Sequence, residues 1–318
     1  MLVAAYGATG AVKHSTPWPT RAKPHVYNNF RLAVARLQPG YPRSIVMLSD
    51  SGDSIVVAAF DARLRPLWSH VEMKKKDHLG HYIYPVDLDG DQVDEVVVGP
   101  MVLDAAGRQR WNRYDFFYDH HDHPDSYRFA DLNGDGRVEI VSVQSESGVF
   151  AFDAASGKVL AQNMAEHSQQ IAIGRFLAGA RGPQVVVGAR TYGNREAGEP
   201  ALAGQVHWFD DRLQLLSKWP GMPLNGNPVF VQGDWKGDGR EELFWYKFRM
   251  GGDGRGELYF PDQVYHMFDF LGDRAEEVVT LGAGKLRVYG FRGAAADGRR
   301  AARTPEYLRN VMVNHTHY

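Results

Sequence analysis

The stretch HPDSYRFADLNGDGRVEIVSVQSE, residues 123–146, sets a histidine ahead of a short strand, an acidic glycine loop and a run of β-branched residues. In its loop Asp131, Asn133 and Asp135 alternate with other residues, and Glu139 follows. Oxygen ligands at every second position, around a glycine that permits a sharp turn, are the chemistry of the first half of a calcium loop. No helix pattern follows and no distant bidentate glutamate closes the set, so an EF-hand is excluded. The residues after the loop read as a strand, and turn residues bound it on both sides.

Moving outward, the same order of segments returns. HYIYPVDLDGDQVDEVVVG (81–99) precedes it, and HSQQIAIGRFLAGARGPQVVVG (167–188) follows. NPVFVQGDWKGDGREELFWY (227–246) and YHMFDFLGDRAEEVVTLG (265–282) continue the series. A copy without acids, YNNFRLAVARLQPGYPRSIVML (27–48), opens it. His81, His123 and His167 lead their copies at spacings of 42 and 44 residues. A repeat of about 40–45 residues holding about four short strands is the pattern of propeller blades. Helical periodicity is nearly absent. The expected fold is therefore all-β: a single β-propeller domain over residues 1–318, with six to eight four-stranded blades and seven the best count. The terminal segments are expected to close the ring, and the alternative is a pair of stacked β-sandwiches.

The 318 residues carry a formal charge of −2, which gives no electrostatic reason to expect capture of nucleic acid or an acidic membrane. There is no cysteine, which excludes disulfides, thiolate zinc sites and cysteine nucleophiles. No apolar run approaches the ~20 residues of a membrane helix. Residues 1–20 lack a basic start and a long apolar core, so no secretion signal is visible. Nucleotide-binding and hydrolase signatures are absent. A monomer is expected.

Two loops carry the full acidic set: Asp87, Asp89, Asp91 and Glu95, then Asp131, Asn133, Asp135 and Glu139. They look like the FG-GAP calcium loops of propellers, and a metal there would be structural. Weaker versions are Asp234, Asp238 and Glu241, with Lys236 at a ligand place, and Asp269, Asp273 and Glu277. Equivalent blade positions converge on a propeller's axis, so His81, His123 and His167 are expected to crowd one funnel.

HPDSYRFADLNGDGRVEIVSVQSE resembles the H-G-D-A-L-H-x-G-D-L-D…E-V-F-Q-V-H-E segment of the bacterial propeller rhamnogalacturonan lyases. FDFLGDRAEEVVTLGAGKLRVYG…RTPEYLRNVMVNHTHY resembles that family's closing stretch, and NGNPVFVQGDWKGDGREELF its penultimate one. The resemblance covers roughly residues 75–318; the family is about twice as long, and its N-terminal blades are shortened or absent here. It implies calcium-assisted β-elimination at a uronic acid. By the resemblance, His123, Asp125 and Glu146 match the ligands of the active-site calcium, with His81 as the fourth; the neighbouring His120 and His121 are bystanders. Mn²⁺ or Zn²⁺ also suit a site containing histidine.

The implied substrate arginine falls near Gln169 and the implied basic lysine near Pro261, so both are missing. Candidates for the catalytic roles are His167, His266, Lys247, Arg190 and Tyr192. Arg249, His315, His317 and Tyr318 are candidates for substrate contact. The expected partner is a uronate-containing oligo- or polysaccharide. Export would suit a polymer-degrading relative, the cytoplasm a disaccharide-processing one. Two alternatives stand beside this reading. One is a non-catalytic, calcium-dependent carbohydrate-binding propeller. The other is a lyase of the ulvan or rhamnose–glucuronate type.

Overall fold

The computed structural model describes residues 2–5, 8–17, 30–40, 43–50, 54–73, 82–119, 123–165, 167–192, 201–222, 230–238, 240–251, 256–272 and 275–291. The chain divides into two compact units, Met1–Asp125 with Asp153–Lys158, and Ser126–Phe152 with Val159–Tyr318.

The first unit opens with a hairpin, β1 (Leu2–Ala5) and β2 (Val12–Thr16). Blade I follows as β3 (Phe30–Ala35), β4 (Ser44–Asp50), β5 (Ser54–Phe60) and β6 (Pro66–Met73). Blade II is β7 (Ile83–Val86), β8 (Glu95–Val98), β9 (Met101–Leu103) and β10 (Gln109–Asn112), trailed by the short helix α1 (Tyr114–Asp119). The second unit holds blade III, made of β11 (Pro124–Ala130), β12 (Glu139–Gln144), β13 (Gly148–Asp153) and β14 (Val159–Asn163), apart from the few end residues of β11 and β13 that fall in the first unit. Blade IV is β15 (His167–Gly174), β16 (Gln184–Tyr192), β17 (Ala201–Phe209) and β18 (Leu215–Met222). Blade V is β19 (Phe230–Gly233), β20 (Glu242–Trp245), β21 (Phe248–Met250) and β22 (Gly256–Tyr259). Blade VI shows three strands among the described residues, β23 (Gln263–Phe268), β24 (Glu277–Gly282) and β25 (Lys285–Tyr289).

Every blade is an antiparallel meander, each strand bonded to the next in sequence. In blade IV, for example, Val187 lies between Ile171 and His207. Second strands such as EVVV (95–98) and EIVSVQ (139–144) are buried throughout. The fourth strand β14 alternates between half-buried and exposed, as one-sided cover requires. The apolar residues therefore meet between blades. In the first unit Val46, Leu48 and Val57 pack on Ile83, Val96 and Met101. In the second unit Val141 and Val149 pack on Ile171 and Val185, Trp208 on Phe230 and Trp245, and Phe244 on Val264 and Val278. Repeated antiparallel meander sheets make this chain an all-β protein of the propeller class.

Three small devices repeat. At the turn from third to fourth strand an aspartate binds its own backbone. Asp104 Oδ1 accepts the N–H groups of Ala106 and Arg108, and Asp210 Oδ1 those of Arg212 and Gln214. The second device joins blades: Trp68 Nε1 donates to Ala105 O at 2.9 Å, and Trp111 Nε1 to Ala154 O at 2.8 Å. A Cβ at Gly107 would lie 2.5 Å from the Trp68 ring, and one at Gly157 2.7 Å from Trp111, so glycine is needed under each indole.

The third device is a latch across the acidic loop. The first residue of the second strand reaches back seven positions to a backbone N–H. Glu95 Oε2 accepts from Leu88 at 3.0 Å, Glu139 from Leu132 at 2.8 Å, Glu242 from Trp235 at 3.0 Å and Glu277 from Phe270 at 2.7 Å. Gln184 Oε1 does the same for Leu177 at 2.9 Å. In blade V the latch is Glu242, one residue beyond the Glu241 read from sequence. The preceding residue points the other way along the pleat: Asp94 Oδ2 accepts the Arg36 N–H, and Glu276 Oε2 that of Asp234. Each blade thus has one end, the latch end, with the first-to-second loop, which blades II to VI latch, and the third-to-fourth turn, and an opposite entry end. At the entry end the first strand begins and the second-to-third turn lies.

Candidate functional site at the entry end

Most of the expected active-site residues that are described, from Asp125 to Lys247, fall at the entry ends. In the first unit the imidazole Nε2 of His123 lies 3.6 Å from Asp125 Oδ1. Asp125 is the second residue of β11 and is 2% exposed. Tyr82, just ahead of β7, keeps its phenol above the ordinary value, first through burial and further through the Asp125 charge. The Arg31 guanidinium lies 5.1 Å from the centroid of that ring, and its charge pulls the other way. Sequence reading missed Arg31 and Tyr82. Arg31 lies in a copy without acids, and its neighbour Tyr82 comes from the next repeat.

In the second unit Glu146 occupies the turn between β12 and β13, with its Oε1 3.4 Å from His167 Nδ1. Nε2 of the same imidazole is 3.3 Å from the Gln169 amide nitrogen. The ladder between β15 and β16 pairs Arg190 with His167, so the backbone brings those two positions opposite each other. Tyr192 pairs with Ala201 at the far end of the same strand. Lys247 sits at the tip between β20 and β21, next to Tyr246, whose φ is 54°. Its ammonium donates to Pro261 O at 2.9 Å and lies 5.5 and 5.8 Å from the Tyr246 and Tyr259 ring centroids. Lys247 of blade V thus meets the main chain at Pro261. Arg249 is paired with Glu257 at 2.5 Å. His266 is exposed on β23, its ring 5.6 Å from that of Phe268. His81, His120, His121, His315, His317 and Tyr318 lie outside the described residues.

Each of the two His–carboxylate pairs offers two ligand atoms, and among the described residues neither belongs to a group of three. Two ligands at about 2.4 Å and at right angles lie about 3.4 Å apart, close to the His123–Asp125 and His167–Glu146 separations of 3.6 and 3.4 Å. At the latch end, ligand oxygens of Asp87, Asp89 and Glu95 lie within 4.8 Å of one another, whereas Asp91 turns to the Val93 N–H. The Arg110 Nη2 sits among them, 2.8 Å from Asp89 Oδ2 and 2.8 Å from Glu95 Oε1. Burial pushes Glu95 up to about 7, against the pull of the Leu88 N–H and of Arg110. In the second loop Asp131 takes the N–H groups of Gly134 and Gly136, and the Asn133 amide faces Glu139 Oε1 at 3.2 Å. Burial raises Glu139 as well.

Comparison with solved structures finds chains of similar fold. A rhamnogalacturonan lyase of Bacillus licheniformis matches 91% of this chain with a TM-score of 0.65 at 20% identity, over 50% of its own length. Rhamnogalacturonan lyase YesW matches 89% of this chain with a TM-score of 0.63 at 21% identity, over 49% of its own length. The exotype rhamnogalacturonan lyase YesX matches 89% with a TM-score of 0.64 at 18% identity, over 50% of its own length. The chain therefore spans about half the length of each. No protein-family model and no curated protein matches the sequence.

Proposed function

We propose that this chain is a polysaccharide lyase that cleaves a glycan containing rhamnose and uronic acid by β-elimination. The fold likeness to three rhamnogalacturonan lyases over about nine-tenths of the chain carries the reading. The His123–Asp125 and His167–Glu146 pairs support it.

Elimination removes the proton on the carbon next to the uronate carboxylate. The electron pair left behind forms a carbon–carbon double bond, and the glycosidic carbon–oxygen bond breaks. The leaving oxygen then takes a proton. The obstacle is charge, since the developing anion spreads onto a carboxylate that is already negative. A divalent cation on that carboxylate would offset the charge, and His123 with Asp125 are the residues proposed to hold it. Arg31 is proposed to give a fixed positive charge to the same carboxylate. The second unit offers a separate candidate of its own, His167 as a proton acceptor, with Glu146 Oε1 3.4 Å from its Nδ1. Lys247 and Arg190 are the next candidates for proton transfer and carboxylate binding, and calcium is the proposed structural ion of the 131–139 loop.

The test is appearance of the unsaturated uronate by its ultraviolet absorbance, with rhamnogalacturonan, ulvan and gum arabic offered in calcium or manganese. Product from the wild type, and none from His123→Ala, is the expected result. A second reading has its own support, because Gln169 and Pro261 stand where the resemblance implies arginine and lysine. In that case the chain binds the glycan without cleaving it. Calcium-dependent retention on the polymer with no absorbance change would select it.

A further inference from the structure

We propose that Arg110 is the resident cation of the 87–95 loop, so that this loop closes without a divalent ion and becomes a divalent-cation site only when the guanidinium is removed. The proposal is independent of the lyase reading. It starts from one atom, the second oxygen of the latch glutamate, which meets a different donor in each of three blades. In blade II Glu95 Oε1 meets Arg110 Nη2 at 2.8 Å. In blade V Glu242 Oε1 meets Lys236 Nζ at 2.8 Å. In blade III Glu139 Oε1 meets only a neutral amide, that of Asn133, at 3.2 Å. The three loops share a backbone frame, and two of them carry their own cation.

Charge and burial explain why the protein supplies one. Glu95 is 1% exposed, and Asp87 and Asp89 bring two more carboxylates to within 4.8 Å. An uncompensated carboxylate in such a place is costly, and a guanidinium can satisfy two carboxylates at once through its fixed fork. Arg110 does so, reaching Asp89 and Glu95 with one nitrogen. A calcium ion bonded at about 2.3–2.6 Å to the same oxygens would need the space that this nitrogen fills. Strand β10 leaves the arginine little freedom to withdraw. The next residue is Trp111, pinned by its bond to Ala154 O, and Arg113 Nη1 donates to Gly157 O at 2.6 Å. The 131–139 loop differs on this point, since its nearby Arg137 pairs with Asp135 and is itself 70% exposed.

Calcium chloride titrated into the whole protein by calorimetry, with thermal unfolding followed in parallel, tests this. Arg110→Gln is expected to bind one more equivalent of calcium than the wild type. Its unfolding midpoint, lowered in chelator, is expected to rise again with calcium, and adding Asp89→Asn should remove both effects. Asp89→Asn alone is expected to leave the wild-type stoichiometry unchanged. Loss of one equivalent in that single variant would overturn the proposal, because it would place calcium in the native loop. So would an Arg110→Gln protein that folds yet gains no calcium. Should Arg110→Gln fail to fold, the Asp89→Asn stoichiometry decides the matter.

Discussion

The latch ends and the entry ends of the blades follow opposite rules. At the latch end one arrangement returns five times, with a side chain seven residues on closing the loop, and only its charge compensation varies. At the entry end nothing returns intact. His123 faces Asp125, His167 faces Glu146, and Lys247 reaches a backbone carbonyl. The recurrent latch serves the folding of the five blades that carry it, while the entry-end pairs differ from blade to blade. Acidity alone would have suggested the reverse.

That contrast can be broken in a definite order. Substituting His167 by alanine is expected to lower turnover by about 10²–10⁴, with unfolding free energy changed by about 1 kcal/mol or less. A loss of stability as large as the loss of activity would make His167 another scaffold residue. Glu139→Ala should show the opposite balance. It strands the buried Leu132 N–H and opens a cavity, for about 3 kcal/mol of destabilisation in chemical denaturation, while activity per folded molecule stays near wild type.

Glu95 sharpens the comparison through pH. Its ordinary value is 4.5 and burial in the fold raises it to about 7. Between those values the native state holds a proton that the unfolded chain has released. Its contribution to stability is therefore complete below 4.5 and lost as pH rises to about 7, at no more than about 1.4 kcal/mol per pH unit. Glu95→Gln should flatten that part of the stability profile in metal-free buffer. The smallest expected effect concerns Gln92, which has φ of 69° where the second loop has Gly136 at 85°. Gln92→Gly should stabilise by about 0.5–1 kcal/mol, read from the unfolding midpoint, by relieving a left-handed residue.

The repeats were legible because each combines a local turn signal with a run of β-branched residues, and both act within a dozen positions. The latch was half legible. Glu95, Glu139 and Glu277 stand out, but in Glu241–Glu242 two acids compete. The choice follows strand parity, which places Glu241 toward Gly174 of the neighbouring sheet and leaves Glu242 to close the loop. Pairings between positions distant in sequence were not legible. Arg110 is fifteen residues from Glu95, Glu146 is twenty-one from His167, and Arg31 is fifty-one from Tyr82. No local pattern links such positions. Lys247 shows the same limit, since its bond to Pro261 O joins positions fourteen residues apart.

The indole hooks carry a last consequence. Trp68 and Trp111 both donate to a main-chain oxygen, so the receiving residue contributes an atom that every amino acid possesses. Such a joint asks for a small residue beneath the ring and is indifferent to the remaining side chains of the turn. Duplicated modules could mutate extensively around it and still dock, which gives one physical route by which an architecture outlives the letters that once encoded it.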